Sequence, residues 1–240
     1  ILLPNRDPDM SYINSGIFIE LSDLYEKYGY NLKKQFERNP GLRSEITTPD
    51  GKVYYLPYIY VTVDNCRCLM MNMGYLDALG MKEEDIKDLD DYYDYLVAVK
   101  EEDVNGDGDA ADEIPLFMRS GTIQLWGMAW GLDLADTGGF QVKDDGKVVC
   151  GYADDKYKEM LIYFNKLYQE GLLNSEFSTA NLDTQTALFS KNQVGSILHF
   201  ISNCTGYSQK VDPSWDFEKD ELVMQPIEPL TGPYGDQHVY

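Results

Sequence analysis

The chain has 240 residues, 43% of them hydrophobic, which is enough for one large domain or two modest lobes with cores of their own. Its 41 acidic residues against 20 basic ones give a net charge of −21, which repels nucleic-acid phosphates and anionic lipid headgroups and removes both from the expected partners. No stretch approaches the roughly 20 consecutive apolar residues of a membrane span.

In chain order, the opening ILLPNRDPDM has neither the basic start nor the apolar core of an export signal. With no initiator Met and a closing GDQHVY that completes no evident element, the sequence reads as a piece of a longer protein. Residues 20–30, ELSDLYEKYGY, predict a short helix with Ser22 as N-cap, because a hydroxyl there can accept from the free amides of the first turn. NLKKQFERNPG predicts a second helix stopped by Pro40. In TTPDGKVYYLPYIYV a Pro-Asp-Gly turn precedes a β-branched and aromatic run, a hairpin signal in which Pro57 ends or interrupts the strand. CRCLMMN then reads as a buried strand.

From Asp88 the period changes. Tyr92, Tyr95, Leu96 and Val99 are spaced three and four apart, as an amphipathic helix requires, with Asp88 as N-cap and Asp91 in the place of the usual capping-box Glu. Residues 145–153, DGKVVCGYA, form a turn and a strand. The helix that follows, to Gly171, carries Tyr157, Met160, Leu161, Phe164, Leu167 and Tyr168 on one stripe. TQTALFSKNQ predicts a shorter helix and VGSILHFIS a buried strand, so the class is α/β. Cys66 and Cys68 stand two apart on a strand, badly placed for a bridge, and Cys150 and Cys204 stand alone. No zinc spacing is present, so free thiols are expected and the redox compartment stays open.

The segment 100–116, KEEDVNGDGDAADEIPL, holds seven acidic side chains. A calcium loop needs oxygens at alternate positions and a glycine at the sharp turn. Asp103, Asn105 and Asp107 fall at positions 1, 3 and 5, Gly108 at 6, and Asp109 at 7, the backbone-carbonyl position. The bidentate Glu expected at position 12 is replaced by Ile114, the acids arriving early as Asp112 and Glu113, so the loop is a shortened one and not a standard EF-hand. A solvated acidic turn is the competing reading, but it does not require Asn105 and Gly108 in register. The expected cofactor is a structural Ca2+.

The blocks NSGIFIELSDL, EITTPDGKVYYLPY, MNMGYLDALGM, the acidic loop and YKEMLIYFNKLYQEGLLNSEF, in this order, resemble extracellular solute-binding proteins of family 1, the lipid-anchored receptors of Gram-positive ABC importers. The loop is similar to the D-x-N-x-N-G calcium loop of alginate- and oligosaccharide-binding members, with Asp107 replacing the second Asn and one residue inserted before the DE pair. The resemblance implies a periplasmic-binding-protein-like II fold, in which two α/β lobes with central mixed sheets close over a ligand, present here as an incomplete fragment. It puts residues 1–60 in the N-terminal lobe, 61–65 in the first hinge crossover, 66–230 in the second lobe with the calcium loop at 103–113, and 231–240 at the start of the return crossover.

The same resemblance places ligand contacts at Tyr58, Asp64 and Asn65, at Trp126 and Trp130, and at His199 and Asn203. Core burial competes for the two tryptophans and a structural role for His199. For Asn72, helix capping is the better reading. The implied function is an extracellular, lipid-anchored receptor, a monomer, that passes an oligosaccharide or related sugar to ABC permease subunits, the signal and anchor lying outside the sequence given. A peptide or other solute, a secreted glycoside hydrolase and a dockerin-like module are the alternatives. The hydrolase lacks a distinguishable carboxylate pair, and the dockerin lacks its second loop.

Overall fold

The computed structural model describes residues 10–57, 66–134, 138–143 and 145–235, with side chains from Tyr12 onward. The expected crossover at 61–65, the ligand candidates Tyr58, Asp64 and Asn65, and residues 236–240 of the expected return crossover lie outside the described residues. The chain divides into two units, Ile1–Val61 and Thr62–Tyr240.

The smaller unit contains four short helices: α1 (Met10–Asn14), α2 (Ser22–Tyr28), α3 (Tyr30–Arg38) and α4 (Pro40–Glu45). Ser22 is not an N-cap. Leu21 occupies that position without a side-chain bond, and the Ser22 hydroxyl accepts instead from the Val53 amide at 3.2 Å, because Leu21 N–H is already drawn to the Val53 carbonyl at 2.7 Å. Pro40 follows the end of α3 and also opens α4, at the first-turn position where a missing N–H costs nothing. The Pro-Asp-Gly turn closes with Thr48 N–H on the Lys52 carbonyl at 2.9 Å, yet the expected hairpin shrinks to one bridge between Thr47 and Val53. Tyr25, Ile46 and Val53 form the apolar cluster beneath it.

The larger unit is built on a mixed sheet of β1 (Arg67–Asn72), β2 (Ile114–Phe117), β5 (Val194–Phe200) and β6 (Met224–Pro226), in the order β2-β5-β1-β6. Strand β1 runs antiparallel to both neighbours, while β2 and β5 are parallel. Alternation along β1 sends Leu69 and Met71 to one face and Cys68 and Met70 to the other. The first face packs against α5 (Met73–Leu79), α6 (Leu89–Glu101), the 3₁₀ segment Ile123–Trp130 and α7 (Asp155–Gln169). The second packs against α8 (Leu182–Ser190) and α9 (Cys204–Val211). Between the 3₁₀ segment and α7, β3 (Phe140–Val142) and β4 (Val148–Cys150) form a separate antiparallel ribbon.

Local chemistry explains most of these elements. Asp88 caps α6 by accepting from the Asp90 and Asp91 amides at 3.0 and 2.9 Å, while Asp91 reaches back to Lys87 N–H rather than to its cap. Tyr92, Tyr95, Leu96 and Val99 are all fully buried. Asn72 caps α5 through Gly74 N–H, as the capping reading has it. In α7, Met160, Phe164 and Leu167 face the core, but Leu161 and Tyr168 are about two-fifths exposed, so the buried stripe is narrower than the spacing implied. Gly171 ends that segment at φ +69.

Three buried phenols tie the helices to β5. Tyr75 donates to the Asn192 carbonyl at 2.5 Å, Tyr95 to the Gly195 carbonyl at 3.0 Å, and Tyr92 shares a 2.7 Å bond with Ser196, whose hydroxyl also bonds the Pro115 carbonyl of β2 at 2.6 Å. Gly195 leaves little room for a side chain, because a Cβ would lie 3.0 Å from the Pro115 carbonyl and 3.1 Å from the Tyr95 hydroxyl, and both would have to give by a few tenths of an ångström. All four cysteines are free thiols. Gly195→Ala should lower the unfolding free energy by about 1–3 kcal/mol through overpacking, and Tyr95→Phe by about 1 kcal/mol through the lost bond. Urea denaturation of both variants measures this.

Candidate functional site

The two parallel strands β2 and β5 present different chemistry at their two ends. Before β2 lies the acidic loop. Asp103 accepts from Gly106 N–H and Gly108 N–H, both at 2.9 Å. Asn105 Oδ1 accepts from Asp107 N–H at 2.9 Å, Asp107 Oδ1 from Asp109 N–H at 3.0 Å, and Asp109 Oδ1 from Ala111 N–H at 3.1 Å. Gly108, at φ +98, makes the turn that a Cβ would oppose. Asp112 accepts from Asn105 Nδ2 at 3.3 Å and from the Gln193 amide that leads into β5.

Glu113 is the unusual member of the loop. It is buried at 8% exposure, its Oε1 accepts a 3.4 Å bond from Asn105 N–H, and its Oε2 has no partner. Burial, together with the Asp112 and Asp103 charges, pushes its carboxyl above the ordinary range. Burial and the charges of Glu113, Asp112 and Asp107 push the nearby Tyr75 phenol up in the same way. Among the described residues no three acidic, thiol or imidazole side chains converge as a metal cluster, since the loop oxygens are turned onto backbone amides. An orphaned buried carboxylate oxygen inside a loop rich in acceptors nevertheless fits a hard divalent cation, which prefers oxygen ligands.

At the opposite, carboxyl ends of β2 and β5 sit Arg119, His199 and Asn203. Asn174 pins the end of β2 by accepting from Met118 N–H at 2.7 Å and donating to the Met118 carbonyl at 3.0 Å. The Arg119–Thr122 turn follows, closed by the Thr122 hydroxyl on the Arg119 carbonyl at 2.9 Å. Arg119 Nη2 donates to His199 Nε2 at 3.2 Å. A guanidinium can only donate, so Nε2 is the accepting nitrogen and Nδ1 carries the proton. Asn203 Nδ2 lies 3.2 Å from His199 Nδ1 and donates to the Phe200 carbonyl at 3.4 Å. Burial, followed by the charges of Arg119, Arg67 and Lys210, lowers the His199 pKa to about 4 from the usual 6.5.

The two tryptophans are part of the core. Trp126 and Trp130 are each 2% exposed. Trp126 stacks on Tyr92 with centroids 5.7 Å apart and meets Phe164 edge-on, while Trp130 packs on Tyr163 and Phe164. Trp126 packs between α6 and α7 and Trp130 against α7, and Trp126 also lies beside Arg119, Thr122 and His199. Sequence reading passed over Arg119 and Asn174. A lone cation directly after a buried strand, in a chain so rich in acids, was the available signal for Arg119.

No protein-family model matches the chain. Over 96% of its length it is 29% identical to the fructooligosaccharide ABC transporter substrate-binding protein FusA of Streptococcus pneumoniae. Over the same share it is 27% identical to lipoprotein LipO and to the polygalacturonan/rhamnogalacturonan-binding protein YtcQ, both of Bacillus subtilis. Of these relatives, FusA is described as an ABC-transporter substrate-binding protein. The chain spans 42–44% of the length of these relatives.

The structure of FusA with kestose superposes at a TM-score of 0.71 with 27% identity, covering 96% of this chain and 46% of that one. An EF-hand mutant of FusA with fructo-nystose gives 0.71 at 25% identity with the same coverage. The alginate-binding protein AlgQ2 without calcium ion gives 0.72 at 22% identity, over 95% of this chain and 46% of that one, a likeness of fold. The mixed α/β architecture is thus that of the periplasmic-binding-protein-like solute-binding proteins, of which this chain matches part.

His199 titrates below its ordinary value, so the folded state favours the neutral ring. Its contribution to stability is complete above pH 6.5 and is lost as pH falls toward 4, where the unfolded chain binds the proton first. NMR titration should place its pKa near 4, and His199→Gln should flatten the dependence of Tm on pH between 4 and 6.5.

Proposed function

We propose that the intact protein is an extracellular receptor of an ABC importer that captures an oligosaccharide or related sugar and performs no chemistry on it. The observation that carries this reading is the match of nearly the whole chain to FusA, both as sequence and as a structure described in complex with kestose. The geometry supports it: Arg119, His199 and Asn203 stand at the carboxyl ends of parallel strands, the edge at which open α/β sheets take ligands. In this reading residues 1–60 belong to the N-terminal lobe, 61–65 to the first crossover, 66–230 to the second lobe and 231–240 to the return crossover. Polar contacts come from Tyr58, Asp64, Asn65, His199 and Asn203, and apolar contact from the edge of Trp126, while Trp130 supports the wall behind it. The protein acts as a monomer held at the cell surface by a lipid anchor and delivers its ligand to the membrane subunits of the permease.

The acidic loop holds a structural calcium ion in the same reading. Asp103, Asn105, Asp107, Asp112 and Glu113 would supply side-chain oxygens and Asp109 its carbonyl. The ion supplies positive charge that offsets the mutual repulsion of the acids. Relatives described as an EF-hand mutant and as free of calcium ion agree with this assignment. Because the loop lies at the opposite ends of β2 and β5 from His199, the ion bears on stability and not on ligand contact.

Two measurements on the full-length protein test these readings. Calcium at a hundredfold excess over its Kd should stabilise the fold by about 2.7 kcal/mol, seen as a calorimetric rise in Tm that chelator reverses and Glu113→Gln reduces. An unchanged Tm would remove the ion from the loop. Thermal-shift screening against a glycan panel should find at least one stabilising oligosaccharide, released unaltered. Null shifts beside a peptide hit, or shortened sugar products, would overturn the receptor assignment.

A further inference from the structure

Two of the free thiols meet inside the larger unit, although they stand far apart in the sequence. Cys68 lies on β1 opposite His199 of β5. Its side chain is on the sheet face covered by α8 and α9, and its thiol donates to the His199 carbonyl at 3.8 Å. Past His199 the chain turns through the 3₁₀ segment Ile201–Asn203, where Ile201 N–H holds the Cys66 carbonyl at 2.9 Å, and then opens α9 with Cys204. That turn carries Cys204 back against Cys68. Both are buried, at 6% exposure for Cys68 and 3% for Cys204, in the cluster that includes Met70, Phe117, Phe189 and Ile197, and their thiols are in hydrogen-bond contact. Cys66 is half-buried, and neither it nor Cys150 belongs to this cluster.

A thiol is a weak donor and a weak acceptor, so the contact itself holds little, and an apolar core that needed only volume is filled as well by an aliphatic pair. What two apposed thiols add is a reaction. We propose that Cys68 and Cys204 are a redox pair that closes to a disulfide when a disulfide oxidant is supplied, tying the start of α9 to β1. The step is thiol–disulfide exchange. The Cys204 thiolate attacks one sulfur of a small disulfide such as oxidised glutathione, which breaks that S–S bond, forms a mixed disulfide and releases one glutathione thiolate. The Cys68 thiolate then attacks Cys204 Sγ and expels the second. Two protein thiols are oxidised, one small disulfide is reduced to two thiols, and the two protons end on those thiols. Cys204 attacks first because its hydrogen bond with Cys68 holds its thiol below the ordinary value, whereas the same bond and burial push the Cys68 thiol well up. The finished bond closes a long loop, which constrains the unfolded chain more than the folded one.

The test incubates the full-length protein to constant mass in oxidised or in reduced glutathione, quenches it by alkylation in denaturant and maps its peptides. Trypsin cuts after Arg67, so Cys66 and Cys68 fall on different peptides. The expected result in oxidised glutathione is a protein lighter by two hydrogens, with the Cys68 peptide joined to the Cys204 peptide. Its Tm should lie several degrees above that of the reduced form, and dithiothreitol should reverse the difference. Cys68→Ala and Cys204→Ala should each abolish that difference, while Cys150→Ala should keep it. Alkylation of both thiols after oxidised glutathione, a glutathione adduct that never goes on to close, or a bond made by Cys66 or Cys150 in their place overturns the proposal, as does an oxidised form that melts no higher than the reduced one. The peptide map is read on the native sequence, so a variant that fails to fold leaves the proposal equally open to refutation.

Discussion

The position of β5 is the constraint from which the rest of the larger unit follows. A buried phenol must find a partner or carry a desolvation cost of about 1–3 kcal/mol, and Tyr75, Tyr92 and Tyr95 find theirs on three consecutive stretches of backbone and side chain at Asn192, Ser196 and Gly195. Ser196 passes the connection on to Pro115 in β2, so two helices and two strands share one hydrogen-bonded seam. The seam fixes β2 and β5 in the register Leu116 to Ser196. That register sets Asp112 beside Gln193 at one end of the strands and Arg119 beside His199 at the other. Gly195 is the point where helix and strand come close enough for this to happen.

The two ends differ in the sign of the charges that act on their buried groups. At the loop, carboxylates crowd one another, the buried oxygen of Glu113 lacks a donor, and the local demand is for positive charge. At the strand ends, burial and the charges of Arg119, Arg67 and Lys210 hold the His199 imidazole neutral. A net charge of −21 conceals this polarity. It becomes visible only once the strands place the groups in space.

Local signals were legible in the sequence wherever the determining contact lies within a turn or two of the residue. Asp88 capping α6, the Tyr92–Val99 stripe and the twice-buried run Leu69–Met71 needed only period and capping chemistry. Ser22 was misread because its partner, Val53, is thirty-one residues away and no local rule announces it. The tryptophans looked available for stacking on a ligand, and their burial depends on Tyr92, Tyr163 and Phe164 arriving from two other helices. In the loop, alternation of oxygens and Gly108 could be read directly. The isolation of Glu113 Oε2 could not, since burial is a property of the packed neighbours. Arg119 was overlooked for the same reason, its partner lying eighty positions along the chain.

The sparse cluster under the smaller unit has a consequence for how the chain acquires its structure. Among the described residues of that unit, 10–57, Tyr25, Ile46 and Val53 with a few half-buried neighbours form one small apolar cluster, and ordering each residue opposes folding by about 1–2 kcal/mol. By contrast the larger unit has clusters on both faces of its sheet. The second unit is therefore expected to be the more protected in hydrogen exchange, and the described amides of the first to exchange earlier.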